Sequence, residues 1–238
     1  MDDEALVRLA RDLGASDAAA VAAASIVVDD ALAGRCAPVA CPFYGRSAGC
    51  PPHVSGPYAF RSWLKAFSTG LVIRIDVPAA LLRTGRCETH FRRLHCIAAA
   101  VERQAAARGT GNAMAFAGGA CKQLFCAGDP DCAVIAHGAP CRHPDCARPS
   151  MSGFGVDVAR LMAAAGWTFT PLTAASRPAN APTAPICALV LVGRLTAGPR
   201  PRQSFANIHE HLGGIFPVNE FPPAGVLDCR SLVVNSSG

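Results

Sequence analysis

Charge is scarce in this 238-residue chain, where Asp, Glu, Lys and Arg together supply 16% of the residues. Hydrophobic residues make up 51%, which excludes a wholly disordered chain. Aromatic residues are only 6%, leaving few rings to stack on unpaired bases. The basic excess, 22 Lys+Arg against 17 Asp+Glu, is too small to read as a nucleic-acid footprint, so no nucleic-acid partner is expected. Long apolar runs are missing as well. Ala18 to Val28 is too short to span a bilayer and Ile186 to Val192 is shorter still, so no membrane association is expected. There is no Gly-x-Ser-x-Gly elbow and no Walker-type phosphate loop. Gly109-Thr-Gly111-Asn-Ala-Met114 lacks the third glycine of a dinucleotide fingerprint and precedes a strand instead of following one. Hydrolase, nucleotidase and dinucleotide-enzyme readings therefore find no support, and no internal repeat suggests a solenoid.

Cysteine, in contrast, is abundant, with 12 residues. The first residues, Met1-Asp2-Asp3-Glu4, are acidic and unlike the basic start of a secretory signal, which points to the cytoplasm. In a reducing cytosol, clustered cysteines serve more often as metal ligands or redox groups than as disulfides. A chain of this length can also bury a core without staples, so a disulfide scaffold is the lesser expectation.

Periodicity predicts helices over Asp3 to Leu13, Tyr58 to Phe67, Glu88 to Ala107 and Val156 to Ala165. Gly109 and Gly111 are read as closing the third of these. Strands are expected at Ser25 to Val28, Leu71 to Val77, Ala113 to Ala117, Trp167 to Thr170 and Ile186 to Val192. Helices alternating with strands imply a single α/β domain, a largely parallel sheet flanked by helices, carrying two cysteine-rich loops. We place that domain at residues 1–194 and a Pro/Gly-rich C-terminal extension at 195–238.

The first cysteine segment holds Cys36, Cys41 and Cys50, with prolines directly after the last two and His53 at its end. Only its first gap suits a zinc pair and no second pair follows, so it matches a zinc ribbon poorly. The second segment holds Cys121, Cys126, Cys132, Cys141 and Cys146, interleaved with Gly118, Gly119, Gly128 and Gly138. Four thiolates suffice for a four-iron cluster, and glycines let backbone amides approach its sulfides. Lys122 and Arg142 would raise the potential of a cluster that lay beside them.

Cys41-Pro-Phe-Tyr-Gly-Arg-Ser-Ala-Gly-Cys50-Pro-Pro-His53, together with Cys141-Arg-His-Pro-Asp-Cys-Ala-Arg-Pro-Ser-Met151 and Gly155-Val-Asp157-Val, resembles a family of predicted metal-binding proteins. It is a cysteine-rich domain of unknown function found mostly in anaerobic bacteria and archaea. The resemblance covers roughly residues 3 to 194. It implies metal binding, iron–sulfur foremost, by cysteines matching Cys36, Cys41, Cys50, Cys121, Cys126, Cys132 and Cys141, and it implies no established reaction. Relatives are expected to lack a cysteine at Cys146, which we rank as a spare.

Counting ligands extends this. Cys121, Cys126, Cys132 and Cys141 would close an electron-transfer cluster, whereas Cys36, Cys41 and Cys50 would leave one iron of a second cluster open. The expectation is one or two iron–sulfur clusters of the four-iron type, an electron relay from the second site to the first, and a redox or electron-transfer role beside a partner enzyme. The rivals are a zinc protein with structural loops and a metallochaperone. Other features have blander explanations: His53 and His143 as turn histidines, Cys87 and Cys96 as small apolar groups bracketing a helix, Cys187 as core strand. Cys229 is a lone tail thiol, and His209-Glu210-His211 reads as surface loop. Arg83, Arg86, Arg92, Arg93, Arg103 and Arg108 could meet an acidic donor or phosphate but commonly mark a solvated helix face. Ser150 or Ser152 either caps the helix that follows or lies where that helix's amides meet an anionic ligand.

Overall fold

A computed structural model describes residues 3–107, 112–169 and 182–193. The chain begins with α1 (Asp3–Asp12), acidic in its first turn and basic in its last, which complements the helix dipole, with Leu6 and Ala10 on its buried side. Then come β1 (Asp17–Ala22), a short α2 (Asp30–Gly34), α3 (Gly56–Leu64) and β2 (Thr69–Pro78). They are followed by α4 (Ala79–Thr84), α5 (Glu88–Ala107), β3 (Asn112–Ala117), α6 (Cys121–Phe125), α7 (Ala133–His137), α8 (Val158–Ala164) and β4 (Thr183–Gly193).

The four strands form one sheet in the order β1-β2-β4-β3, and all three pairings are antiparallel. This corrects the expectation of a largely parallel sheet. The unit β2, helices, β3 does run as a crossover, since both strands lie antiparallel to β4 and so point the same way. They never pair, because β4 occupies the place between them. The central strands are buried on both faces, and an antiparallel strand in that position carries the same unbroken apolar run as a parallel one.

Alternation along the strands feeds two cores. Leu71, Ile73, Ile75 and Val77 of β2 meet Leu6 of α1 and Leu94, Ile97 and Val101 of α5 on one face. On the other face Val72, Phe116 and Leu189 meet Phe60 of α3, Phe154, and Leu161 and Met162 of α8. Phe60, Phe116 and Phe154 contact one another with ring centroids 5.1–5.5 Å apart, near the preferred edge-on geometry for two of the three pairs. Each such side chain, fully removed from water, contributes about 1.5–3 kcal/mol.

Four other expectations need correction or placement. Ser25 to Val28 is not a strand; a 3-10 turn ends at Ser25, and Val28 makes a single bridge to Val156. The alanine-rich β1 precedes it, its weak β character overridden by edge pairing with β2. Residues 167–169 form no strand. Neither Ser150 nor Ser152 caps a helix; Asp157 does, accepting from the Arg160 amide at 3.0 Å. The extension at 195–238, with Cys229 and His209-Glu210-His211, lies outside the described residues, as do Arg108, Gly109, Gly111 and Thr170. Among the described residues no helix is long and apolar enough to cross a membrane.

Candidate metal centre

The second cysteine segment leaves the sheet at the end of β3. Gly118 and Gly119 turn the chain there, Gly119 at φ +89°, a conformation that a side chain would strain. Cys121 opens α6, Cys126 follows its last residue, Cys132 directly precedes α7, and Cys141 lies beyond Gly138, which closes α7 in the left-handed region. Two short helices thus return the chain on itself and bring four cysteines to the lining of one cavity. Cys121, Cys126, Cys132 and Cys141 line a single small cavity, together with Ser47, Lys122, Phe125, Arg142 and His143.

A buried network fixes this segment to the core. Arg148, 5% exposed at its side chain, donates to Glu102 Oε2 of α5 through Nε at 2.7 Å and through a second nitrogen at 2.7 Å. Glu102 Oε1 accepts from the Ala115 amide of β3 at 2.7 Å. Arg148 also donates to the carbonyls of Pro144 and Ala147 at 2.9 and 2.7 Å. Burial pushes the Glu102 carboxyl up, an effect partly offset by the guanidinium beside it. His95, likewise buried, lies 2.9 Å from the Gly118 carbonyl through Nε2 and accepts the Arg148 amide on Nδ1 at 3.1 Å. Burial lowers its pKa to about 4, which keeps the ring neutral. Arg103 donates to the Asp145 carbonyl at 2.5 Å, so that this basic residue of α5 serves as a tether.

Cys146 is no spare. It forms a disulfide with Cys96 of α5, 50 positions away, and Cys96 is therefore not merely an apolar filler. Sequence spacing could not reveal the pair, because its partners belong to a helix and to a distant loop. Cys187 is a buried strand residue, as expected, its thiol pushed up to about 12 by burial. Cys87 is half-buried at the start of α5, and burial raises its thiol too.

The first segment packs against the second. Ala48 packs against the small buried cluster of Cys121 and Ala147, as do Phe125 and Cys141 of the second segment. The Ser150 amide donates to the Gly49 carbonyl at 2.9 Å, and Ser150 in turn bridges β3 at Ala117. A Cβ added at Gly153 would lie 2.9 Å from Pro51 Cδ, so only glycine allows this approach. Among the three thiols of this segment, Cys50 is buried whereas Cys36 and Cys41 are half-buried. Burial raises Cys36, reinforced by neighbouring Cys41, and raises Cys50, reinforced by Cys41, Cys36 and, across the segments, Cys132.

Ser47 sits where the segments meet. Its hydroxyl is buried without a hydrogen-bond partner of good geometry, an arrangement costing about 1–3 kcal/mol when no ligand satisfies it. It lies near enough to Cys50 and Cys121 to favour both thiolates. Burial nevertheless pushes the Cys121 thiol up to about 12, with Cys50, Cys141 and Cys132 adding to the effect. Burial likewise raises Cys126 and Cys141. Thiols that hinder one another's ionisation are a donor set for a cation, whose charge reverses the local preference and displaces their protons. The four thiols, the orphan hydroxyl and the shared cavity supply the donor chemistry that such a group requires. As the side chains stand, no three Cys, His, Asp or Glu residues among those described converge tightly enough to hold a single metal ion.

The remaining candidates divide. Lys122 lines the cavity, but its ammonium bonds the carbonyls of Cys126 and Asp129 at 2.5 and 2.6 Å, bracing the loop between them. Arg142 lies 3.6 Å from Asp129 and 3.9 Å from Asp131. His143 stacks obliquely on Phe125, with centroids 5.6 Å apart, and its amide donates to Cys141 Sγ at 3.4 Å. His53 is exposed, and its amide donates to the Cys50 carbonyl in a turn. Sequence reasoning missed Glu102, His95 and Ser47; for His95 the available signal was its place between Leu94 and Cys96, whereas Glu102, followed by Arg103 and Gln104, reads as part of a polar face.

One family model matches the chain over residues 19–192, and its description is predicted metal-binding protein (DUF2284). No curated protein and no solved structure matches the chain.

Proposed function

Because the chain belongs to the predicted metal-binding protein family, DUF2284, we propose that it is an iron–sulfur protein serving a partner enzyme in electron transfer. The observation that carries this reading is that Cys121, Cys126, Cys132 and Cys141 all line one small cavity. Four thiolates are the usual complement for a four-iron cluster. When bound, such a cluster supplies one-electron chemistry. Cys121, Cys126, Cys132 and Cys141 would hold it, with Cys36, Cys41 and Cys50 forming an adjoining donor set. Phe125, Ala133 and Ala147 exclude water from the cavity wall, and the His143 amide supports the Cys141 sulfur at 3.4 Å.

Anaerobic purification with metal and sulfide analysis tests the reading. The expected result is a brown protein containing iron and acid-labile sulfide, whose visible absorption bleaches on reduction. Cys126→Ser and Cys141→Ser should each remove the corresponding paramagnetic resonance signal. A colourless protein with stoichiometric zinc would overturn the reading, and metal readily surrendered to an acceptor would favour the chaperone role.

A further inference from the structure

We propose that Ser47 belongs to the metal centre, its hydroxyl donating a hydrogen bond to a cysteine sulfur from the side contributed by the first segment. This rests on the iron–sulfur reading of the second segment. Three placements lead to it. Ser47 lines the cavity that holds Cys121, Cys126, Cys132 and Cys141, although it precedes the nearest of them by 74 positions. Its neighbour Ala48 packs against the buried cluster of Cys121 and Ala147. Its carbonyl accepts from the Cys50 amide at 3.1 Å, which fixes the residue beside the one buried thiol of its own segment.

The side chain itself supplies the independent sign of a ligand. Ser47 is 1% exposed, yet its Oγ has no hydrogen-bond partner of good geometry among the described residues. Buried hydroxyls are almost always satisfied, and the acceptors beside this one are the Cys50 and Cys121 sulfurs. Electron-rich sulfur is an acceptor for this donor. A hydrogen bond to a cluster sulfur withdraws negative charge, favours the reduced state and raises the potential. Ser47 is then a positioning and tuning residue, and the first segment closes the second segment's site as well as presenting thiols of its own.

The test uses the full chain, reconstituted anaerobically with ferrous iron and sulfide, as wild type, Ser47→Ala and Ser47→Thr. Ser47→Ala removes one oxygen and is expected to keep its iron and sulfide content while its midpoint potential moves to a more negative value. Ser47→Thr restores the hydroxyl and should return the potential towards wild type. Equal potentials in wild type and Ser47→Ala, or equal shifts in Ser47→Ala and Ser47→Thr, overturn the assignment while leaving the iron–sulfur reading intact. Loss of the cluster from Ser47→Ala alone supports the assignment, and loss from both variants overturns it. A wild-type chain that takes up no iron or sulfide overturns the reading itself, and this inference falls with it.

Discussion

Helix α5 holds Arg148 in two ways, its amide through the neutral ring of His95 and its guanidinium through the carboxylate of Glu102. The histidine makes the apoprotein sensitive to acid. With a folded pKa of about 4 against an ordinary value of 6.5, the unfolded chain binds the extra proton first. Stability contributed by the neutral ring is therefore complete above the ordinary value and declines as pH falls from about 6.5 towards 4. The loss, for a fully buried ring, is roughly 3 kcal/mol. Glu102, raised by burial and joined to His95 through Arg148, titrates in the opposite sense. The informative quantity is the difference between profiles: His95→Gln should be less stable at neutral pH but show a flatter decline on acidification, as read by urea unfolding of the metal-free protein. Equal slopes would assign the acid sensitivity to other groups. Little of this was legible in the sequence. A histidine flanked by Leu94 and Cys96 states that it is buried, but neither of its partners is near it in the chain. Ser47 was hidden for the same reason, as its significance arises only when Cys121 comes beside it.

At the scale of elements, α5 is the beam that carries the second cysteine segment. Its helical period predicted both ends of its buried stripe, and the described helix, Glu88–Ala107, has the expected bounds. What periodicity could not convey is that one side of the helix carries Cys96, Glu102 and Arg103, each attached to residues 145–148. The Cys96–Cys146 disulfide closes a loop of some 50 residues, for which chain entropy suggests an upper figure of about 4 kcal/mol. Cys146→Ser should lower the unfolding midpoint of the oxidised apoprotein. A dithiol reductant should lower the wild-type midpoint similarly and leave the variant's unchanged. A reductant effect of equal size in both proteins would locate the sensitive bond elsewhere. The strands β2, β3 and β4 were readable from apolar runs, whereas β1 and the turn after it were exchanged: β-branched Ile26 and Val27 suggested a strand where alanines form it. Edge pairing, a tertiary contact, decided between them.

For the molecule as a whole, the sequence conveyed class better than topology. Two cysteine-rich excursions from an α/β core were expected and found, but the sheet is antiparallel throughout, because pairing depends on where the last strand is inserted. The excursions also share a wall, through Ser150 and Gly49 and through Ala48 against Cys121. Metal loading should therefore slow amide exchange in residues 36–53 and 121–146 together, although 67 positions separate them. Exchange measured by mass spectrometry on apo and loaded protein checks this; protection confined to 121–146 would mean that the first segment is not coupled to the site.

The late arrival of β4 has a consequence for synthesis. On a translating ribosome, β2 and β3 emerge with a gap between them, and their neighbour is not made until residues 183–193 leave the exit tunnel. Both sets of thiols are already outside by then, held by an unfinished scaffold. Assembly of the sheet therefore waits for a strand encoded after every proposed ligand, and a nascent chain whose emerged portion ends between residues 146 and 183 would expose all seven cysteines without the completed sheet.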